Sequence, residues 1–409
     1  MVILSVHNTA DIYGASRSLL RMLRRLTKDG HEVHVVLPGR GPLVNLLLEH
    51  GINVHRYEPL AVIDRNQLRS FRGAIAFALN FQRSVFWLAA LMLRQGFDVV
   101  HTNSAVIPAP ALAAKFTGRR HVWHIREFFS DFPSLWKLYQ WYVGLLSAQI
   151  VANSLATREQ FSARLRKKCS VIYNGLDEDS GVIDRENAQR FRASLGNPKW
   201  LIGVVGRIKW VRKGQEVLVK AAALLANEFP DTRYVVVGSC APGNEDHLVR
   251  LHELIHEKGL KERFIFAGEL EDLRDIYAAF DLTVVPSMMP EPFGCVVVES
   301  MAVGTPVVGT RIGGIPEQIV DGTTGLLFEP GDEVGLARAL SKLMSDEALR
   351  LSMADACRRR FQNTFSLDTA YSKFSEIIGL NIREVNQRYP SSDQLVCESA
   401  DSRAQTTST

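Results

Sequence analysis

The stretch PEPFGCVVVESMAVGTPVVGTRIGGIPEQIVDGTTG, residues 290–325, decides the fold of this chain and places its chemistry. It opens with a turn in which prolines flank Glu291, and a second carboxylate, Glu299, follows eight positions later. Phe293 and Gly294 are predicted to begin the helix that carries Glu299. The first turn of a helix leaves backbone N–H groups without partners and carries a partial positive charge. The arrangement therefore suits an anionic or hydroxyl-rich ligand.

The second half of the stretch adds a strand and further turns. Residues 306–308 form a short apolar run, which predicts a buried strand. The double glycine Gly313-Gly314 follows, and because glycine has no Cβ, we expect backbone to approach a ligand closely there. Asp321-Gly-Thr-Thr-Gly325 ends the stretch with another turn.

Short apolar strands alternate with helical segments throughout the chain. The first half contains seven predicted strands, at residues 2–6, 32–37, 53–57, 98–102, 121–125, 149–152 and 169–172. The second half contains five, at residues 201–205, 234–237, 264–266, 282–285 and 306–308. This alternation predicts an α/β protein with two Rossmann-like, doubly wound parallel-sheet domains that face a cleft. Ligands are expected beyond the carboxyl ends of the strands.

The predicted boundaries follow the changes in composition. They are a first domain at 1–175, a connection at 176–198, a second domain at 199–364, a C-terminal helix at 365–386 and a tail at 387–409. The connection is polar and lacks strand periodicity, and the tail is poor in large apolar residues, so we expect the tail to be disordered.

Composition limits the classes of protein. A chain of 409 residues with 46% hydrophobic content can bury two sizeable cores. Its five cysteines lack CxxC or metal-binding spacing, which fits a reducing compartment. The N-terminus has no basic leader, and the longest apolar run, residues 85–93, is less than half of the roughly 20 residues that span a bilayer. We therefore expect a cytoplasmic protein.

Charge is divided unevenly along the chain. Residues 1–175 carry 22 basic and 10 acidic side chains, whereas the remainder carries 26 basic and 34 acidic ones. This asymmetry indicates that the first half faces an anionic partner. One basic group lies on a predicted helix over 14–28, opposite its leucines, and it comprises Arg17, Arg21, Arg24, Arg25 and Lys28. This side is either a solvated outer face or a contact for anionic lipid headgroups.

A second region, residues 65–95, combines aromatic residues with arginines. It is predicted to form one or two crossover helices packed on the sheet. The alternative is a partly exposed amphipathic surface that rests in the membrane interface or guides a lipid-linked acceptor.

The string at 290–325 resembles the retaining glycosyltransferases of family 4, which have the architecture called GT-B. The two carboxylates, Gly304-Thr-Pro, Gly313-Gly-x-Pro-Glu317 and Asp321-Gly-x-x-Gly325 occur in the order of that family. The resemblance implies a nucleoside-diphosphate sugar as donor. It also implies these donor contacts: the diphosphate on Arg207 and Lys213, ribose hydroxyls on Glu299, the sugar near Glu291, hydroxyls or phosphate on the backbone of Phe293 and Gly294, and the base near Gly268.

In the first domain the resemblance extends to His124, which matches the family histidine near the reacting sugar. It could hold a hydroxyl or help to shield developing positive charge through its backbone. Arg126 and Glu127 either bind acceptor or pair with each other. Gly14 is the one glycine kept from the glycine-rich loop of the family, and it could bring N–H groups toward phosphate or acceptor.

The departing diphosphate needs positive charge, which a metal or fixed cations can supply. No Asp-x-Asp pair directly follows a predicted strand, so we expect no metal and no cofactor. The resemblance implies a same-face displacement in which the leaving phosphate accepts the acceptor's proton. The basic first half fits a lipid-linked glycan of bacterial cell-surface polysaccharide synthesis, although a soluble sugar phosphate remains an alternative.

Two other classes are kept. One is a nucleotide-sugar epimerase or hydrolase on the same fold. The other is a non-catalytic, nucleotide-sugar-binding partner of a polysaccharide assembly, which should have lost some of Arg207, Lys213, Glu291 and Glu299. All four are present.

Overall fold

The computed structural model describes residues 1–64, 69–129 and 133–380, with only the backbone for 133–135. The predicted tail at 387–409 lies outside the described residues, as do residues 65–68 of the aromatic region and 381–386 of the predicted C-terminal helix.

The first domain is built on a parallel seven-stranded sheet in the order β3-β2-β1-β4-β5-β6-β7. Chain order runs outward in one direction from β1 and in the other from β4, so the topological switch lies between these two strands. The strand bounds are β1 Val2–Val6, β2 Glu32–Leu37, β3 Asn53–Arg56, β4 Val99–Thr102, β5 Arg120–Ile125, β6 Gln149–Ala152 and β7 Cys169–Val171.

The helices of the first domain cover both sides of this sheet. Leucines of the first helix pack on one side, whereas Val85, Leu88 and Met92 of the third helix pack on the other. The helix bounds are α1 Gly14–Lys28, α2 Pro42–Glu49, α3 Phe71–Gln95, α4 Ala109–Phe116, α5 Pro133–Leu146, α6 Leu155–Glu159 and α7 Ala163–Arg166.

The second domain has a parallel six-stranded sheet in the order β10-β9-β8-β11-β12-β13. Its switch lies between β8 and β11. The strand bounds are β8 Trp200–Val205, β9 Thr232–Val237, β10 Phe264–Gly268, β11 Leu282–Val285, β12 Val307–Thr310 and β13 Gly325–Phe328. The two doubly wound sheets confirm the predicted fold class. The prediction missed β13.

Helices again cover both sides of the second sheet. Their bounds are α8 Arg185–Ser194, α9 Gln215–Leu225, α10 Asp246–Glu257, α11 Arg274–Ala279, α12 Cys295–Val303, α13 Ile315–Gln318, α14 Glu333–Ser345 and α15 Glu347–Arg360. One more helix follows them, α16 Leu367–Ile378. Helix α8 falls in the segment predicted as an irregular connection. Its Ala188 packs with Leu201 and Phe280, so this segment contributes to the second domain's core.

The last helix returns to the first domain. Tyr371, Phe374 and Ile378 of α16 join the core formed by α1 and the first sheet. The basic side of α1 also faces structure. Arg25 binds Asp368 of α16 (2.7 Å), and Arg21 and Arg24 bind Asp177 in the connection, at 3.3 Å and 2.5 Å. These arginines therefore join the first domain to the connection and to α16, and they do not form the solvated outer face considered from the sequence.

Helix α3 is a single helix of 25 residues. Among the described residues it is the one helix long and apolar enough to cross a membrane, judged by length and composition alone. No continuous apolar run in the sequence is long enough to span a bilayer. Arg83 and its polar neighbours interrupt the run in α3, but the helix is still apolar on average. One side of α3 packs on the sheet through Val85, Leu88 and Met92.

Candidate active site

The two switch points bring the predicted site residues to the cleft. Arg207 follows β8 and Glu291 follows β11, so the loops that carry them leave the sheet at its switch, where ligands of such sheets bind. The Lys213 ammonium donates to Oε1 of Glu291 at 2.7 Å, and the Ser287 hydroxyl donates to the same oxygen. Basic and acidic groups from two separate loops therefore meet at one point.

Lys213 is held in place by the residue that follows it. Gly214 directly precedes α9 and has a φ of +68°, in the left-handed region that favours glycine. A Cβ at this position would lie 1.9 Å from the carbonyl oxygen of Pro286. The start of α9 can therefore lie directly against the end of β11, which brings Lys213 within reach of Glu291.

The double glycine packs closely on the loop that carries Glu291. A Cβ on Gly313 would lie 2.5 Å from the Glu291 carbonyl oxygen, and one on Gly314 would lie 2.5 Å from that of Pro292. The Gly314 N–H donates to Glu291 O at 2.8 Å. The glycines thus allow the 290–294 loop to pack on the turn after β12. This packing holds the backbone of Glu291 in place.

Glu299 faces the cleft from α12. Its carboxylate accepts a hydrogen bond from the Tyr277 hydroxyl at 2.9 Å. Burial, with a smaller effect of the Glu299 charge, raises the pKa of Tyr277 well above its ordinary value, so Tyr277 remains a donor. A cavity of ≈ 230 Å³ adjoins Glu299, and Arg17 and Arg21 line its opposite wall. Sequence reasoning assigned neither arginine to the cleft. The cavity lining does not include Arg207, Lys213 or Glu291.

Arg207 lies against the first domain. Its guanidinium sits 5.2 Å from the ring centre of Tyr13, which precedes Gly14 and the start of α1. Within the described residues, the side chain before α1 makes no capping hydrogen bond, and α12, which begins directly after Gly294, also lacks a side-chain cap. Each helix therefore presents uncapped backbone N–H groups at its first turn.

Two other predicted donor contacts are Gly268 and Phe293. Gly268 ends β10 with a φ of +69° and is exposed, and its carbonyl accepts from the Gly238 N–H at 2.7 Å. The half-buried ring of Phe293 packs near Tyr173 and Phe365, with ring centres 6.0 Å and 6.1 Å away.

Below the first-domain side of the cleft lies a buried polar network centred on Arg126. Its guanidinium donates to Asn103 Oδ1 at 2.8 Å and to Asn174 Oδ1 at 2.5 Å, and lies 3.4 Å from His124 Nδ1. Burial lowers the pKa of Arg126 to about 10, which keeps it charged at neutral pH. Burial, followed by the nearby Arg126 charge, holds the pKa of His124 well below its usual value.

His124 is therefore a neutral imidazole. Its Nε2 atom is buried and has no hydrogen-bond partner among the residues that the structure describes. The side chains of Arg126 and Glu127 bind separate partners. The Glu127 carboxylate accepts from the hydroxyl of Ser104 and from the N–H of Ala105 at 2.9 Å, and so orders the loop after β4.

One contact across the cleft has no counterpart in the sequence predictions. Glu317, at the end of the Gly-Gly-x-Pro-Glu motif, accepts from the backbone N–H groups of Leu155 (2.5 Å) and Ala156 (2.6 Å). These are the first two residues of α6 in the first domain, so Glu317 caps a helix of the opposite domain. The sequence shows a carboxylate at Glu317 and predicts a helix after the strand at 149–152, but it does not indicate that the two meet.

Asp177 and Asp179 in the connection form an Asp-x-Asp sequence, the pattern that metal-dependent transferases use. Asp177 is bound by Arg21 and Arg24. In the described parts of the chain no three or more histidine, cysteine, aspartate or glutamate side chains are grouped so that they could hold a metal ion.

Two facing Rossmann-like domains with a cleft between them are the GT-B architecture. The family models for "Glycosyltransferase Family 4" and "Glycosyl transferases group 1" match residues 12–180 and 185–360 respectively. The chain belongs to the group 1 glycosyltransferases of the GT-B fold.

Named relatives agree with this assignment. The D-inositol 3-phosphate glycosyltransferase of Corynebacterium aurimucosum is 30% identical over 380 residues, which cover 85% of this chain and 86% of the relative. The N-acetyl-alpha-D-glucosaminyl L-malate synthase of Bacillus anthracis is 27% identical over 87% of this chain and 90% of its own. Other matches are shorter: with the D-inositol 3-phosphate glycosyltransferase of Corynebacterium urealyticum, 36% identity extends over 49% of each chain.

Among solved structures, Anabaena HepE in complex with UDP superposes with a TM-score of 0.80 at 25% identity, covering 92% of this chain and 99% of HepE. A second HepE structure contains UDP-glucose and gives a TM-score of 0.77.

Proposed function

We propose that this protein transfers a sugar from a nucleoside-diphosphate sugar to an acceptor with retention of anomeric configuration, without a metal ion. The observation that carries the proposal is the contact between Lys213 and Glu291 at the switch point of the second sheet. This contact supports the proposal because an ammonium suits a diphosphate and a carboxylate suits sugar hydroxyls. UDP and UDP-glucose in the HepE structures support a UDP-sugar as donor.

In the proposed donor complex, Arg207 and Lys213 neutralise the diphosphate, with Arg207 making the two-pronged contact that a planar guanidinium permits. Glu299 accepts hydrogen bonds from the ribose hydroxyls, and Gly268 lies beside the base. Glu291 and the backbone of Phe293 and Gly294 contact the transferred sugar. On the opposite wall, the unpaired Nε2 of His124 binds a sugar hydroxyl.

The proposed reaction is a same-face displacement. The bond between the anomeric carbon and the β-phosphate oxygen breaks, and the acceptor oxygen bonds to the same face of that carbon. The acceptor's proton passes to the departing phosphate oxygen, and Arg207 and Lys213 stabilise its negative charge. Contact between the domains excludes water and so limits hydrolysis of the donor.

The acceptor we propose is a lipid-linked glycan of cell-surface polysaccharide synthesis, used at the cytoplasmic side of a membrane. The basic first half supports an acceptor that carries phosphate. The names of two relatives specify D-inositol 3-phosphate and L-malate, which are small anions. Gly14, the uncapped start of α1 and Arg17 offer positive potential to either kind of acceptor. A cytoplasmic location fits the four described cysteines, which are free.

The donor is tested by thermal stabilisation with UDP, GDP, ADP and dTDP and their sugar conjugates, with and without EDTA. We expect a shift with the UDP compounds that survives EDTA. A shift that EDTA abolishes would contradict the metal-free site, and no shift with any nucleotide would contradict the donor assignment. Product analysis with polyprenyl-diphosphate-linked glycan, D-inositol 3-phosphate and L-malate then identifies the acceptor. Turnover without acceptor would instead indicate a hydrolase or an epimerase.

The role of Lys213 is tested by Lys213→Met, with Arg212→Met as the matched control because Arg212 is the adjacent exposed cation. Loss of one preorganised charge at the leaving group is expected to lower kcat/KM by about 100- to 1,000-fold. The pair with Glu291 is partly exposed, so the free energy of unfolding should change by about 1 kcal/mol or less. Equal kcat/KM values for the two variants would contradict the assignment.

A further inference from the structure

The outer side of α3 has an unusual composition for a surface helix. Exposed residues repeat every three or four positions along it, and they lie in one stripe: Arg72, Ile75, Leu79, Arg83, Phe86, Ala90, Leu93 and Arg94. Phe86 is 74% exposed and Leu93 is 66% exposed. The solvent side of such a helix is normally polar. Here it combines apolar residues with basic ones.

The two neighbouring helices continue this surface. Helix α4 packs against both α3 and α5, so the three helices form one layer on the same side of the sheet. Phe116 is exposed at the end of α4, and Leu138, Trp141 and Leu145 are exposed on α5. We call the exposed residues of α3, α4 and α5 the outer helical face.

Charge on the outer helical face has a single sign. The three helices contain Arg72, Arg83, Arg94, Lys115 and Lys137 and no aspartate or glutamate. A second copy of the chain would bring two basic faces together, which is unfavourable. Exposed aromatic and aliphatic residues among basic ones are instead the composition that lies in the interface of an anionic bilayer.

The buried side of α3 determines how the helix can meet a membrane. Val85, Leu88 and Met92 pack with the sheet residues Leu4 and Val100 in one core. Crossing a bilayer would remove these side chains from the sheet and expose the core. The helix can therefore meet a membrane only with its outer side, parallel to the surface.

The orientation of the layer relates this face to the cleft. In a parallel sheet with crossover helices, each helix begins at the edge where the preceding strand ends. The first turns of α3, α4 and α5 therefore lie at the carboxyl edge of the first sheet, which faces the cleft. The outer helical face extends from the rim of the cleft to the far edge of the domain.

We propose that the outer helical face docks on an anionic phospholipid membrane, with the cleft rim at the bilayer surface. The proposal replaces the basic side of α1 as the membrane contact, because Arg21, Arg24 and Arg25 are bound to aspartates within the protein. The inference is independent of the donor chemistry, so it can fail while the proposed transfer stands.

The experiment is flotation of the full chain, without donor, on vesicles of phosphatidylcholine alone and of phosphatidylcholine mixed with phosphatidylglycerol. We expect about tenfold or greater preference for the anionic vesicles, weakened by added salt. The double substitution Phe86→Ser with Trp141→Ser should lower binding to anionic vesicles by about tenfold or more. Arg72→Gln with Arg83→Gln should lower it and reduce the salt dependence.

The matched control is Leu351→Ser on α15 of the second domain, where the leucine is 59% exposed. Its vesicle binding should equal that of the unsubstituted protein. Thermal unfolding of every variant shows whether the fold is kept. Three outcomes would overturn the proposal: equal binding to both kinds of vesicle, no binding to anionic vesicles, or an equal loss in the control. Self-association in sedimentation that Phe86→Ser with Trp141→Ser abolishes, without vesicle binding, would assign the face to a second copy instead.

Discussion

Replacing Glu317 by glutamine tests whether the contact across the cleft sets the balance between joined and separated domains. The carboxylate accepts from the N–H groups of Leu155 and Ala156, at 2.5 Å and 2.6 Å. Hydrogen bonds to a charged group contribute about 1.5–3 kcal/mol each. Glutamine keeps one acceptor oxygen but turns an NH₂ group toward the other N–H. The joined arrangement should therefore lose about 2 kcal/mol, which corresponds to a factor of about 30 in the equilibrium constant.

Hydrogen exchange measures this change directly. Leu155 and Ala156 are the first two residues of α6, so their N–H groups have no partner within the helix, and Glu317 protects them only while the domains are joined. Exchange of the Leu155 and Ala156 amides should become about 30-fold faster in Glu317→Gln. If the joined arrangement is the reacting one, kcat/KM for sugar transfer should fall by a similar factor.

Glu329→Gln is the matched control. Glu329 pairs with Arg311 at 3.2 Å on the surface of the second domain, and the glutamate side chain is 66% exposed. This pair should contribute about 0.5 kcal/mol or less and leave exchange at α6 unchanged. The reasoning is refuted if Glu317→Gln exchanges at the same rate as the unsubstituted protein, or if Glu329→Gln accelerates exchange equally.

Three further predictions concern stability and nucleotide binding. Gly214→Ala should lower the free energy of unfolding by about 2–4 kcal/mol, because the added Cβ would meet Pro286. Gly259 has the same φ of +68° and open space around it, so Gly259→Ala should lower the free energy of unfolding by only about 1 kcal/mol. Equal losses for the two variants in urea unfolding would contradict the packing argument. Tyr277→Phe removes the hydroxyl that orients Glu299 and should weaken UDP binding about three- to tenfold in calorimetry, with an unchanged Kd as the contrary result. Burial lowers the pKa of five described histidines, and four of them, His7, His101, His121 and His124, are buried almost completely. The unfolded chain therefore binds more protons between pH 6.5 and about 4, so stability should be highest above pH 6.5 and fall by about 1.4 kcal/mol per pH unit for each of these four histidines as the pH drops. Urea unfolding from pH 7.5 to 5.5 that shows uptake of less than about one proton would contradict this.

The sequence predicts strands well where both sides of the sheet are covered. Strand β9 has a buried Tyr-Val-Val-Val run, and such continuous apolar segments differ clearly from helical periodicity. Strand β13 was missed because Gly325–Phe328 has no β-branched residue and directly follows a turn. Helix α8 was missed because Ala188 is its only fully buried residue, which leaves little apolar periodicity.

The chemistry of the site was predictable as a set of residues but not as a geometry. The order of motifs identifies Arg207, Lys213, Glu291 and Glu299, and their assigned roles remain predictions. The bond between Lys213 and Glu291 joins loops 78 positions apart, and Glu317 meets a helix 162 positions away. Such contacts depend on the strand order and on how the two domains face each other, and a local pattern contains neither. The packing of Gly313 and Gly314 on the 290–294 loop could not be predicted from the sequence for the same reason.

Asn174 connects the two walls of the cleft. It lies just after β7, and its Oδ1 accepts from Arg126, the residue that contacts His124, while its Nδ2 lies 3.7 Å from Sγ of Cys295. Cys295 is the first residue of α12, the helix that carries Glu299. Burial raises the pKa of the Cys295 thiol to about 11, so the contact stays neutral. A short polar chain therefore runs from the histidine of one domain to the helix start of the other.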